Sequence, residues 1–387
     1  MRRNSGWTLF SGILFLLLAL SLPGCRGGGS SGAEIRIGLI AMLSGSESDQ
    51  ASGRSMQRGA QLAVEEANRT GLRRVTLVVA DDRNNPEGAI EAARRLIYQE
   101  RVPAIVGPQF SRNAIPAARL AESERTVMIC PLSTNPQTTA GKHFVFRVPY
   151  LDTFQGYSLA RFARQELAAS RAAVLYDVAN EYNRTLAEVF RDTFLRLGGT
   201  LAAFESYTTD QAMDFTPQLS RIAAAGAQVL FLPNLNDDVR RQGRQARALG
   251  IDAVLLGGDG WNPDELASEP AFAGSFASRH WHPDVATEKA RNFLKAFRAR
   301  FGEPPDDIAA TTYDACGLLF AAMRAAGRAE PEAIRAALMS LEPYPGVTGS
   351  IVYRGSGDPS KSVVLVRIDG GRAAVHSVLE PEEPPRP

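Results

Sequence analysis

Cysteine and histidine are scarce in this chain, at three and four in 387 residues. Cys130 and Cys316 are the only cysteines beyond the first 25 residues, and they lie far apart in sequence. That excludes a disulfide scaffold, and buried free thiols are expected. His280 and His282, in "RHWHP", form a close pair with no cysteine or third histidine nearby. A structural role is therefore expected of them and no metal site. Charge of one sign is lacking too. The chain has 43 basic and 42 acidic residues, and without Arg2 and Arg3 the balance falls to about −1. A nucleic-acid binder would carry a basic excess, so no nucleic-acid partner is expected. Past the first 24 residues no apolar run is long enough to span a bilayer. A P-loop is absent, as is a nucleophile elbow between a strand and a helix. Asp81 and Asp82 are consecutive and point to opposite sides of a strand end, so they suit a turn and helix cap better than acid–base work. The arginines of "RRQGRQAR" read as a solvated helix face. With neither a nucleophile–base pair nor a metal cluster, the chain is not expected to be an enzyme, and no cofactor is implied.

What is present begins with a leader. Arg2 and Arg3 precede an uncharged apolar stretch from Leu9 to Leu22. It is too short for a comfortable membrane span but suits the apolar region of a signal peptide. The stretch ends Leu22-Pro23-Gly24-Cys25, which resembles the bacterial lipobox, in which the cysteine is acylated and becomes the first residue. Residues 1–24 are thus expected to be a lipoprotein signal peptide, with Cys25 lipidated and the chain tethered outside the cytoplasm on a bacterial membrane. The glycine- and serine-rich residues 25–33 read as a flexible tether. Gly27, Gly29 and Gly32 have the spacing of a dinucleotide loop but precede the first strand, so they do not form one.

The remainder, 44% hydrophobic and 22% charged over the whole chain, can bury a large core. Short β-branched runs alternate with amphipathic segments: "EIRIGLI" then "GRSMQRGAQLAVEEANRT", "RVTLVVADD" then "PEGAIEAARRLIYQE", "VPAIVGP" then "SRNAIPAARLAES". The pattern pauses near "HFVFRVPYLDT" and restarts from "RAAVLYD" to "AVLLGGD". This predicts an α/β protein with two Rossmann-like lobes in tandem. Three helical segments follow His282, then two strands, "VTGSIVYR" and "KSVVLVRI". The acidic, proline-rich residues 380–387 are expected to be a disordered tail.

In this order the stretches "IGLIAMLSG", "GAQLAVEEAN", "DDRNNPEGA", "IVGPQFS", "PLSTNP", "VFRVP", "DFTPQLSRI" and "RQARALG" resemble the type I periplasmic binding proteins of the leucine/isoleucine/valine-binding group, from about Ile35 to Asp369. The resemblance implies a clamshell whose lobes exchange chain at three crossover segments: residues 34–147 plus 283–345 in lobe I, and 148–282 plus 346–379 in lobe II. It implies a ligand held between the lobes and delivery to the permease subunits of an ABC importer, with the protein a monomer. A sensor reporting an amide or amino acid to a membrane receptor is the alternative.

The residues agree with such a site. Ser111 opens a predicted helix, where a hydroxyl and free backbone N–H groups can receive a carboxylate. Ser133 and Thr134 lie at a strand's carboxyl end, where open α/β sheets bind ligands. The family motif implies a backbone carbonyl from Ser133, and a hydroxyl and N–H from Thr134. It also places an aromatic over the ligand at Tyr182 and an acid for the α-ammonium at Asp259, where leucine-type members carry the longer glutamate. Trp261 either lines the pocket or packs beneath it, and Ser52 in "LSGSESDQASG" is a further candidate. Asn234, Leu235 and Asn236 stand where leucine-type members are rich in glycine and tyrosine. Amides there would favour a polar or amide-bearing side chain. The expected ligand is thus a small zwitterion, an amino acid either branched-chain or polar.

Overall fold

The computed structural model describes residues 34–70, 74–208, 214–285 and 287–381. The expected signal peptide, Cys25 and the rest of the expected tether, residues 1–33 in all, lie outside the described residues, as do residues 382–387 of the expected tail. The first β-branched runs form β1 (Ile35–Ala41), β2 (Val75–Asp81), β3 (Ala104–Val106), β4 (Val127–Cys130) and β5 (Val145–Arg147), interleaved with helices α1 (Glu47–Arg69), α2 (Pro86–Arg94) and α3 (Ser111–Ser123). All pair in parallel, in the order β2-β1-β3-β4-β5. Parallel pairing needs helical crossovers that cover both sheet faces, which is why these strands read as near-continuous apolar runs.

The chain then crosses to a second sheet. There α4 (Asp152–Gln165), β6 (Arg171–Asp177), α5 (Glu181–Arg196), β7 (Thr200–Tyr207), α6 (Thr216–Ala225), β8 (Val229–Leu232), α7 (Asn236–Ala248), β9 (Val254–Gly257), the short α8 (Pro263–Leu266) and β10 (Ser275–Arg279) repeat the alternation. After β10 it returns. Helices α9 (Glu288–Phe301), α10 (Asp307–Ala326) and α11 (Pro331–Ser340) join the first core, where Phe293, Tyr313 and Leu319 pack with Met56 of α1 and Leu39 of β1. Gly59 lets α1 approach α10 closely, since a Cβ there would lie 2.3 Å from the carbonyl oxygen of Ala309.

A hairpin of β11 (Tyr344–Gly346) and β12 (Gly349–Ile351) follows, and the lobe boundary expected at 345/346 divides it. Val347, Ile351 and Tyr353 are all in the first core. Only then does β13 (Val363–Asp369) cross to lie antiparallel to β10, with β14 (Arg372–Leu379) antiparallel beside it. The second sheet therefore runs β14-β13-β10-β9-β8-β6-β7. The result is the two-lobed clamshell with three crossovers, at residues 148–151, 280–287 and 352–362.

Buried ion pairs tie down these crossovers. Arg279, at the end of β10, places Nε 2.8 Å from Oδ2 of Asp307 at the start of α10. Arg147, fully buried, donates from Nε to Asp358 at 2.7 Å. Burying charges is costly unless each is paired and its remaining donors are used. The other donors of Arg147 are spent on the carbonyls of Ser133 and Asn135, at 2.7 and 2.8 Å, and on the Thr139 hydroxyl. Cys130 and Cys316 are unpaired and buried, and burial pushes both thiols up to about 12.

Candidate functional site

The carboxyl ends of the parallel strands of both sheets face one cleft, and the loops leaving them supply its walls. On the first lobe the chain turns at Gly107, whose φ of +101° suits glycine and whose Cβ would strike the Ile40 carbonyl. It then enters α3 through Phe110, which contributes no side-chain cap. Asn113 of α3 donates to the buried Asp82 at 3.0 Å and fixes the helix against the end of β2. Ser111 is thus the first helical residue. Its Oγ accepts from the Ser133 hydroxyl at 3.0 Å, and the Arg147 contacts hold the 133–139 loop behind it.

On the second lobe the carboxylate of Asp259 sits after β9, with its side chain 9% exposed. Three groups converge on it. Gln155 Nε2 donates to Oδ1 at 2.6 Å, the Tyr182 hydroxyl donates to the same oxygen at 2.9 Å, and His280 Nε2 lies 3.0 Å from Oδ2. Burial pushes the carboxyl up, but His280, Gln155 and Tyr182 outweigh it and hold the group below its ordinary value. Asp259 is therefore an anion at neutral pH although it is nearly dry. The Tyr182 hydroxyl also accepts from the Gly260 N–H at 3.1 Å, which locks the ring in place.

The lobes meet across the mouth of the cleft. Asn135, fully buried, donates from Nδ2 to the Glu181 carbonyl at 3.1 Å and to the Thr185 hydroxyl at 3.0 Å, both on α5. Between the lobes lies a cavity of about 410 Å³, counting its opening to solvent. Gln109, Phe110, Ser111, Leu132 and Thr134 line it from the first lobe, and Asn180, Tyr182, Leu235, Asp259 and Gly260 from the second. A start of helix with a hydroxyl faces a buried anion across a partly apolar space. The chain matches the family model of the periplasmic binding proteins over residues 34–373.

The chain belongs to the periplasmic binding protein family.

Its relatives place this binding protein in the leucine/isoleucine/valine-binding branch. Leu/Ile/Val-binding protein homolog 1 of Brucella abortus is 27% identical over 358 residues, covering 91% of this chain and 93% of the relative. An amino acid binding protein of Pseudomonas aeruginosa is 29% identical over 341 residues, covering 86% and 90%. Among solved structures, the leucine binding protein LivK of Thermotoga maritima superposes with a TM-score of 0.84 at 31% identity, covering 90% of this chain and 99% of that one. LivJ of Streptococcus pneumoniae, a branched-chain amino acid transporter substrate binding protein solved with isoleucine, gives 0.81 at 26% identity, covering 90% and 99%. The family consists of extracytoplasmic solute binders, not enzymes.

Of the residues expected to touch ligand in this binding protein, Ser111, Thr134, Tyr182, Leu235 and Asp259 line this cavity. Ser133, Trp261 and Ser52 do not. Ser133 is buried beneath Ser111, and its carbonyl accepts from Arg147; Leu132 takes the place at the wall. Trp261 packs under the site, its indole N–H donating to the Leu232 carbonyl at 2.9 Å and its ring edge-on to Phe272. Ser52 is half-buried on α1, outside the lining.

The amides of Asn234 and Asn236 are consumed inside the second lobe. Asn234 is bonded to Leu175, Asp177, Asn183 and Gln242, and Asn236 to Glu265 and Asn262. The polarity expected of that loop therefore never reaches the cavity. Gln109, Asn180 and Gln155 went unread in the sequence, and His280 was read only as structural. Asn180 carried a signal, since an asparagine two residues before Tyr182 is a helix cap, and its Oδ1 accepts the Tyr182 N–H at 3.1 Å. Asp81 and Asp82 organise the turn after β2 by accepting from the backbone of Leu43, Arg83 and Asn84. Among the described residues no group of three or more metal-ligating side chains occurs.

Proposed function

We propose that this chain is the lipid-anchored solute receptor of an ABC importer and that it captures a zwitterionic α-amino acid. The first turn of α3, Ser111 and Thr134 receive the carboxylate, and Asp259 with the face of Tyr182 receives the ammonium. The observation that carries the reading is the ionised, nearly dry Asp259 carboxylate across the cavity from the start of α3. The polar groups are divided between lobes, so only the closed state offers both sets of contacts, and ligand shifts the population toward closure. The closed monomer then presents to the permease subunits.

The test is calorimetric titration of α-amino acids into the full-length, detergent-solubilised protein and its Asp259→Asn variant. A charge-assisted hydrogen bond is worth about 1.5–3 kcal/mol, so the variant should bind its amino acid about 10- to 100-fold more weakly. Equal affinities would remove Asp259 from the ammonium role. Binding confined to compounds without an amino group would discard the zwitterion.

A further inference from the structure

Ser111, Thr134, Tyr182 and Asp259 account for the charged ends of an amino acid, leaving Gln109, Phe110, Leu132, Asn180 and Leu235 to surround its side chain. Three of these five are apolar. The other two are amides, and they approach from opposite lobes. Gln109 is 7% exposed, and its Oε1 is fully buried without a hydrogen-bond partner. Asn180 is 8% exposed, and its Oδ1 is committed to capping α5. Its Nδ2 makes no hydrogen bond among the described residues. A buried amide without a partner is costly, and proteins leave few of them. Gln109 and Asn180 both line the cavity, so a ligand that offers a donor to one and an acceptor to the other satisfies both.

We propose that the side chain held in this cleft is a carboxamide, as in glutamine or asparagine. Its carbonyl oxygen accepts from Asn180 Nδ2, and its amino group donates to Gln109 Oε1. The methylenes lie against Phe110, Leu132 and Leu235. A hydroxyl is a single short group and serves one amide well. An acidic side chain would bring a second carboxylate near Asp259, and a basic one would find no acid in the lining beyond Asp259, which the ammonium occupies. An aliphatic side chain would leave both protein amides desolvated and unpaired, the situation by which sites built for hydrogen bonding reject analogues that lack the group. The proposal rests on the zwitterion reading above and adds the side-chain class to it.

The experiment is calorimetry on the full-length protein in detergent, dialysed free of ligand, with L-glutamine, L-asparagine, L-leucine, L-isoleucine and L-valine as probes. Wild type should bind at least one carboxamide more than about tenfold tighter than any aliphatic amino acid. Gln109→Leu should erase that preference by weakening the carboxamide and strengthening leucine. Asn180→Ser, which retains a helix-capping hydroxyl, should weaken the carboxamide alone. Ligand-free unfolding temperatures check that both variants are folded, and the wild-type ranking decides even if one is not. Aliphatic amino acids binding wild type as tightly as the carboxamides would overturn this proposal and leave the zwitterion clamp standing. Failure of every α-amino acid would overturn both.

Discussion

Asp152 and Asp259 are buried carboxylates near the floor of the cleft, and their surroundings push them in opposite directions. Asp259 is surrounded by donors and stays ionised. Asp152, at the first position of α4 and 0% exposed, is driven well above its ordinary value, first by burial and then by the charge of Asp259, against the weaker pull of Thr134 and Arg147. A carboxyl with a raised native pKa binds more protons folded than unfolded, so its contribution to stability falls as pH rises from the unfolded pKa toward the native one. Asp152→Asn copies the protonated form. It should therefore raise the unfolding temperature, little near pH 4 and increasingly toward pH 7, measured by thermal melts across that range. A pH-independent effect would mean that Asp152 is not the titrating group.

The same residues show how far the sequence could be read. Ser111 and Thr134 were legible because each stands at a strand's carboxyl end or a helix start, positions that short-range patterns reveal, whereas Tyr182 and Asp259 came from the family resemblance. The roles of Ser133 and Asn234 were not. What decides them is Arg147, fourteen residues past Ser133, and Leu175, Asp177 and Asn183, more than fifty before Asn234. Gln109 gave no signal at all, because an unpartnered amide is recognisable only once its burial is known.

At the scale of elements, α3 and the 133–139 loop meet the start of α5 through Asn135, whose amide reaches the Glu181 carbonyl and the Thr185 hydroxyl. This contact crosses from one lobe to the other without touching the cavity lining. It stabilises closure alone, and closure sets apparent affinity through the fraction of competent molecules. Removing the Thr185 acceptor costs about 1 kcal/mol, so Thr185→Val should weaken ligand binding about fivefold by calorimetry, through slower closure or faster release, with selectivity among ligands preserved. Unchanged affinity would show that the contact contributes nothing to closure. The alternation of strands and helices made both sheets predictable in kind. The return of α9–α11 to the first lobe came from the family resemblance, since periodicity alone does not say which sheet a helix covers.

At the scale of the whole molecule, the two lobes are joined by three strands of chain whose ends are held by Arg147–Asp358 and Arg279–Asp307. The rings of Tyr150 in the first crossover and His280 in the second lie 4.7 Å apart at a 41° tilt, which links the two crossovers. If Cys25 carries the anchor, Cys25→Ser should move the protein from the membrane fraction to the soluble fraction while its ligand affinity stays within about twofold, a difference of less than 0.5 kcal/mol. Retention in the membrane would assign the attachment to the leader itself.

Cys130 and Cys316 carry a practical consequence. Both are sealed in the protein, and with thiols pushed to about 12 neither offers a thiolate at neutral pH. If Cys25 is acylated, a maleimide dye finds nothing in the native chain to react with. A single cysteine introduced on the rim, beside Asn135 or Thr185, would then be the one labelled position, and its fluorescence would follow the lobes as they shut. The protein is already most of the way to an optical biosensor for whatever it binds.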